Sequence, residues 1–176
     1  MRLFTGIAIP PDVTAQLVRA MDSARGLPGL RFVAPEKLHL TTTFIGEWPE
    51  TRLDDMRRAL AVVVVPGPIE IRLARLGWMP NPRFPRALYA GVYSNDALQQ
   101  LAAATTRAVV KIGAEPDERR WYRPHITLAR VDGRPTLDAS PNADIGEIGA
   151  FLASSFFLYL SANGKYTKLQ EFLLDS

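Results

Sequence analysis

A mixed fold of strands and helices, built as two similar lobes, is predicted by three features of the sequence. Segments with strand and helix periodicity alternate in closely similar order through both halves of the 176 residues. The chain holds only two histidines, and His125 follows His39 at 86 residues, nearly the offset of 84 between the strands beginning at Leu3 and Ala87. A composition of 47% hydrophobic and 22% charged residues suits one domain with a substantial core, spanning 1–176. A duplicated lobe is the economical reading of the shared register.

The elements follow from periodicity and turn chemistry. Residues 3–9 read as a strand, and Pro11-Asp12 opens a helix with Val13, Leu17, Ala20, Met21 and Ala24 at helical spacing, closed by Gly26, Pro28 and Gly29. Residues 37–45 are β-branched, aromatic and alternating, hence a strand, broken between Gly46 and Pro49. A helix over about 50–63 carries Leu53, Met56, Leu60 and Val64 on one stripe. After Pro66-Gly67-Pro68, Ile69, Ile71 and Leu73 alternate with charged residues as a strand. The second half begins with a strand at 87–93, then a helix capped by Asn95 and carrying Leu98, Leu101, Ala102, Val109 and Ile112. A strand at about 123–130 follows a charged loop, then a weakly patterned helix near 143–153 and strands at 155–161 and 165–173 joined by an Asn163-Gly164 hairpin turn.

Composition excludes several function classes. The longest aliphatic run, Leu60 to Val65, stops at Pro66, far short of the roughly 20 apolar residues of a spanning helix. The N-terminal stretch, interrupted at Gly6 and Pro10, reads as a strand of the fold rather than a signal peptide. With no cysteine there is no disulfide, thiolate nucleophile or cysteine metal site, and a cytoplasmic location is expected. Lys+Arg 21 against Asp+Glu 18 is a mild excess of +3; what matters is the placement of Arg83, Arg86, Arg119, Arg120, Arg123 and Arg130 near the chemistry.

Both histidines stand in His-x-Thr with an aliphatic x. Thr is 11 of 176 residues, so chance supplies a matching Thr after both histidines at roughly 0.4%, which makes coincidence a poor account. In a strand, the imidazole and hydroxyl of His39-Leu40-Thr41 share one face, and so do those of His125-Ile126-Thr127. Two lobes facing each other across a pseudo-twofold axis then bring two imidazoles and two hydroxyls into one cleft, held on rigid strands. Such a site suits in-line displacement at phosphorus: one imidazole takes a proton from the attacking oxygen and the other gives one to the leaving oxygen. Threonine hydroxyls and an arginine hold the non-bridging oxygens. Metal chemistry is not required. Thr is a poor zinc ligand and neither motif carries Asp or Glu at ligand spacing. No G-x-S-x-G supports a serine triad.

These motifs resemble the two-histidine phosphoesterases, and among them the RNA 2′,3′-cyclic phosphodiesterases also called 2′-5′ RNA ligases. The resemblance runs along nearly the whole chain: Arg2 to Pro10, His39 to Glu47, Pro85 to Tyr89, Arg123 to Arg130 and the Gly164-Lys165-Tyr166 hairpin. It implies an α+β fold of two pseudo-symmetric lobes, each an antiparallel β-sheet with packed helices, around a central cleft. The implied reaction is hydrolysis of a terminal 2′,3′-cyclic phosphate to a 2′-phosphomonoester, independent of metal or other cofactor, with reversible 2′-5′ joining as a related activity. His39 is implied as the general acid protonating the departing O3′ and His125 as the general base activating water. Thr41 and Thr127 map to phosphate-holding positions, Phe44 to base stacking and Arg130 to phosphate contact. Strict alternation places Phe44 and Arg130 on the face opposite the histidines, so their participation requires a bulge or twist. Thr42 stands where relatives often carry an aliphatic residue.

The expected partners are RNA 3′ ends or small cyclic phosphates, with no membrane, and the protein is expected as a monomer. Two alternatives stand beside this reading, one of another class and one within the same enzyme class. An RNA-end binding module would need cations and aromatics rather than a matched acid/base pair; a phosphodiesterase of small cyclic nucleotides would keep the mechanism and change the substrate.

Overall fold

A computed structural model of the protein describes residues 1–116, 122–132 and 149–174. In chain order the elements are β1 (Arg2–Ala8), α1 (Pro11–Ser23), β2 (Leu30–Phe32), a 3₁₀ turn at Pro35–Lys37, β3 (His39–Glu47), a second 3₁₀ turn at Glu50–Arg52 and α2 (Leu53–Ala61). They continue as β4 (Ile69–Met79), β5 (Ala87–Val92), α3 (Asp96–Val110), β6 (His125–Val131), β7 (Ala150–Ala153), β8 (Ser155–Ala162) and β9 (Lys165–Leu173).

Local chemistry accounts for the helix starts. Pro11 fixes φ in the first turn of α1, and Val13, Leu17, Ala20 and Met21 form its buried stripe. Asn95 caps α3, its Oδ1 accepting the Leu98 N–H at 2.8 Å while its Nδ2 donates to the Glu70 carbonyl at 2.7 Å, which ties the helix to β4. At the β8–β9 turn, Asn163 and Gly164 both take positive φ, 49° and 69°, as a two-residue hairpin requires.

The sheets are antiparallel, one ordered β3-β1-β8-β9 and the other β2-β6-β5-β4-β7. Setting β3 against β6 and β1 against β5 aligns the two, with β8 matching β4 and β9 matching β7. The lobes are therefore not the two halves of the sequence. Strand β4 follows the first motif yet pairs with β5, and β8 follows the second motif yet pairs with β1. One buried cluster joins the two, from Leu3, Ile7 and Leu40 to Leu88, Ala90 and Ile126. β1 packs so closely on β3 that a Cβ on Gly6 would meet the Leu40 carbonyl oxygen at 2.8 Å, so only glycine fits there.

Three elements differ from the sequence reading. The helix of 50–63 splits into a 3₁₀ turn and α2, which ends at Ala61; Val64 is 70% exposed and the neighbouring Val65 is buried instead. The helix expected near 143–153 is a strand at its C-terminal end, since β7 pairs with β4 from Ile69↔Ala153 to Arg72↔Ala150; residues 143–148 lie outside the described residues. Strand β2, three residues long among glycines and prolines, pairs with β6.

Candidate active site

The two histidine strands carry the same irregularity at the same place. In β3, Ala8 pairs with His39, Ile7 with Leu40 and Gly6 with Thr41, but Thr5 pairs with Thr43, so Thr42 is an extra residue. In β6, Gly91 pairs with His125, Ala90 with Ile126 and Tyr89 with Thr127, but Leu88 pairs with Ala129, so Leu128 is extra. Each bulge lies three residues beyond its histidine. Before it, His and Thr share a face while Leu40 and Ile126 point into the core. After it the alternation is reversed: Thr42 and Thr43, like Leu128 and Ala129, are consecutive buried residues, and Phe44 and Arg130 emerge exposed on the histidine face. The irregularity that Phe44 and Arg130 require is thus present in both strands. The Thr42 hydroxyl, buried by its bulge, pairs with that of Thr5 at 2.7 Å.

Backbone carbonyls orient both imidazoles. His39 Nδ1 lies 2.7 Å from the Lys37 carbonyl oxygen, and His125 Nδ1 lies 2.8 Å from that of Arg123, in each case two residues upstream. A carbonyl oxygen only accepts, so Nδ1 carries the hydrogen and Nε2 of each neutral ring keeps its lone pair for proton exchange. Burial lowers the pKa of both rings, opposed in part by these hydrogen bonds. The charges of His125 and Arg130 lower His39 further, and those of Arg123 and Arg130 lower His125 further. Arg130 therefore acts on both imidazoles, and the imidazoles lie close enough for His39 to feel the charge of His125.

The surroundings of the pair are asymmetric. His39 sits in an aromatic wall: Phe4 is 4.7 Å away between ring centroids, Tyr166 meets it edge-on at 5.1 Å and Tyr159 lies at 5.9 Å. Phe4 stacks on Tyr159 at 4.8 Å and also touches Phe44, at 6.2 Å. Burial pushes the Tyr159 hydroxyl up to about 12. Beside His125 the described residues place a single ring, Tyr89 at 5.8 Å, with the Arg123 guanidinium 5.9 Å over that ring and its Nη2 3.4 Å from the Tyr89 hydroxyl. Tyr122, just before β6, donates its hydroxyl to the Thr41 carbonyl at 3.0 Å and so ties the second motif to the first.

The structure thus brings His39, Thr41, His125 and Thr127 to facing strands, with Phe44 beside the aromatic wall and both imidazoles within reach of the charge of Arg130. Among the arginines singled out from sequence, Arg123 and Arg130 act on the imidazoles, Arg83 and Arg86 are exposed on the loop between β4 and β5, and Arg119 and Arg120 lie outside the described residues. Sequence reasoning did not place Phe4, Tyr89, Tyr122, Tyr159 and Tyr166 in the site. The available signal was alternation within β1, β5 and β8, where an aromatic falls on the same face as the histidine once strand pairing is known. Among the described residues no cluster of three or more metal-ligating side chains forms.

Comparison with known proteins is consistent along the chain. A model described as LigT like phosphoesterase matches residues 7–89. The RNA 2′,3′-cyclic phosphodiesterase of Thermus thermophilus is 33% identical over 135 residues, covering 74% of this chain and 68% of that protein. The RNA 2′,3′-cyclic phosphodiesterase of Bacillus subtilis is 28% identical over 176 residues, covering 98% and 96%. The crystal structure of the Thermus thermophilus protein TT0787 superimposes with a TM-score of 0.84 at 31% identity, over 99% of this chain and 98% of that one.

Proposed function

Since the chain belongs to the LigT-like, two-histidine phosphoesterase family of RNA 2′,3′-cyclic phosphodiesterases, we propose that it opens terminal 2′,3′-cyclic phosphates of RNA to 2′-phosphomonoesters through His39 and His125. The observation that carries this reading is the duplicated imidazole geometry: two rings on matched bulged strands, each fixed through Nδ1 and each presenting Nε2. One Nε2 accepts a proton and the other donates one, as attack and departure on opposite sides of phosphorus demand.

In the forward reaction water attacks phosphorus as His125 Nε2 takes its proton, the P–O3′ bond breaks, and O3′ takes the proton of the His39 imidazolium. The products are a 2′-phosphomonoester and a free 3′-hydroxyl. The hydroxyls of Thr41 and Thr127 donate to the non-bridging oxygens, and Arg130 offsets the charge that builds on them. The aromatic wall supports the division of roles. The leaving O3′ belongs to the ribose, so the nucleoside lies on the side of the acid, and the rings that suit a nucleoside stand around His39. With the 5′-hydroxyl of a second RNA end attacking in place of water, its proton passing to His125 and O3′ departing with the proton of His39, the same pair supports 2′-5′ joining of RNA ends.

The test is turnover of a short oligoribonucleotide ending in a 2′,3′-cyclic phosphate, with chelator present, by the protein and by His39→Ala and His125→Ala. The expected product is the 2′-phosphate, with kcat reduced by about 10²- to 10⁴-fold in each variant. Tight end binding without turnover would leave an RNA-end binding module; turnover restricted to small cyclic nucleotides would remove RNA from the substrate.

A further inference from the structure

The catalytic pair is symmetric, but its flanks are not. Beyond His39, on the side away from Thr41, a cavity of about 450 Å³ opens between the end of β1, the start of α1, the 3₁₀ turn before β3, and strands β8 and β9. That volume lies in the range of about 300–1,000 Å³ typical of small-ligand sites. Its walls combine two kinds of side chain. Tyr159 and Tyr166, the rings already packed around His39, supply aromatic surface. Lys37 and Lys168 supply two ammonium groups against the single carboxylate of Glu36, leaving the lining cationic. Lys168 rests with its ammonium 4.1 Å from the centroid of Phe157, a ring of the adjoining hollow that Lys168 also lines. Phosphate transfer itself employs neither lysine, and the aromatic surface extends past the reach of one imidazole.

We propose that this cavity binds the nucleotide on the 5′ side of the cyclic terminus, with its phosphodiester on Lys168 and Lys37 and its base against Tyr166. The inference rests on the phosphodiesterase reading above. With the cyclic phosphate between the two imidazoles and the terminal ribose on the His39 side, the chain leaves through O5′ past His39, and the next groups along it are a phosphate and a base. Aromatic surface and ammonium groups together match that pair of groups and match a lone terminal nucleoside less well. The cavity then makes the protein a reader of RNA ends rather than of free cyclic nucleotides, and it fixes the direction in which the strand lies across a symmetric acid/base pair.

The experiment compares kcat/KM for a nucleoside 2′,3′-cyclic phosphate and for a dinucleotide carrying the same cyclic terminus, in the full chain and in Lys168→Ala and Lys168→Glu. The unaltered protein should prefer the dinucleotide through KM. The variants should raise KM for the dinucleotide by about 3- to 10-fold, with Lys168→Glu the larger, as for loss of a charge-assisted contact in partial solvent. Their kinetics on the mononucleotide should not change. Equal use of both substrates by the unaltered protein, an equal loss on both substrates in the variants, or a dinucleotide preference untouched by Lys168→Glu overturns the proposal. Turnover of neither substrate would instead count against the phosphodiesterase reading. In that case calorimetric titration of the dinucleotide bearing a 3′-phosphate still decides the site: weaker binding to Lys168→Glu supports it and equal binding overturns it.

Discussion

For each imidazole the decisive quantity is the proton it holds before substrate arrives. Burial and neighbouring positive charge lower both pKa values below 6.5. In the proposed mechanism the active form carries one proton across the pair, and it gives way to the doubly protonated form on the acid side and the neutral form on the basic side. Both limbs of the kcat/KM profile are therefore expected below pH 6.5, and Arg130→Ala, which removes a cation acting on both rings, should move both limbs toward higher pH while lowering the rate. A pH series on the two proteins measures this. The roles are separable by leaving group: with an aryl phosphodiester whose departing oxygen needs no proton, His39→Ala should recover most of its lost kcat and His125→Ala should not. At this scale the sequence was legible where chemistry is local. His-x-Thr declares a shared strand face from two residues of spacing. The rings of Phe4, Tyr159 and Tyr166 were not legible as site residues, because their meeting with His39 depends on β1 lying between β3 and β8, which no local pattern states.

Among the elements, the bulge supplies what strict alternation could not predict. Without the extra residue at Thr42 or Leu128, Phe44 and Arg130 would face the core, and the site would lack a cation acting on both histidines. The first bulge leaves the Thr42 hydroxyl in the core, where its partner is Thr5. Thr42→Val should cost about 1–3 kcal/mol because it strands the Thr5 hydroxyl, whereas Thr5→Val with Thr42→Val should cost much less than the two single changes summed. Urea unfolding of the three variants gives the coupling energy. A Thr among aliphatic equivalents thus has a structural partner, consistent with an effect on packing rather than on the reaction. The helices were legible from their caps and stripes, as in Asn95 with Leu98 and Leu101. Val64 was misplaced because a helix stripe continues on paper after the backbone has left the helix, and β2 and β7 were missed because three- and four-residue strands carry too little pattern to read.

Across the whole molecule, each sheet draws strands from both halves of the chain, and one buried cluster spans both. We expect residues 1–176 to unfold as one cooperative unit, with calorimetric and van't Hoff enthalpies equal and a single transition reported by both near-ultraviolet and far-ultraviolet circular dichroism. Two separated transitions would instead indicate two domains. The duplication was legible as a repeat of element order, but the exchange of β4 and β8 between lobes was not, since periodicity gives the direction and length of a strand without naming its neighbour. That exchange also bears on the order in which the molecule comes into being. β1 is made well before β8, so the edge that receives β8 stays open until β8 and β9 have followed it. A nascent chain can pair β1 with β3 and seat His39, but it carries an unclosed sheet edge and lacks Tyr159 and Tyr166 until β8 and β9 have been made. The aromatic flank of His39 is therefore completed only with β8 and β9, and until then the open edge of β1 is exposed to mispairing with another strand.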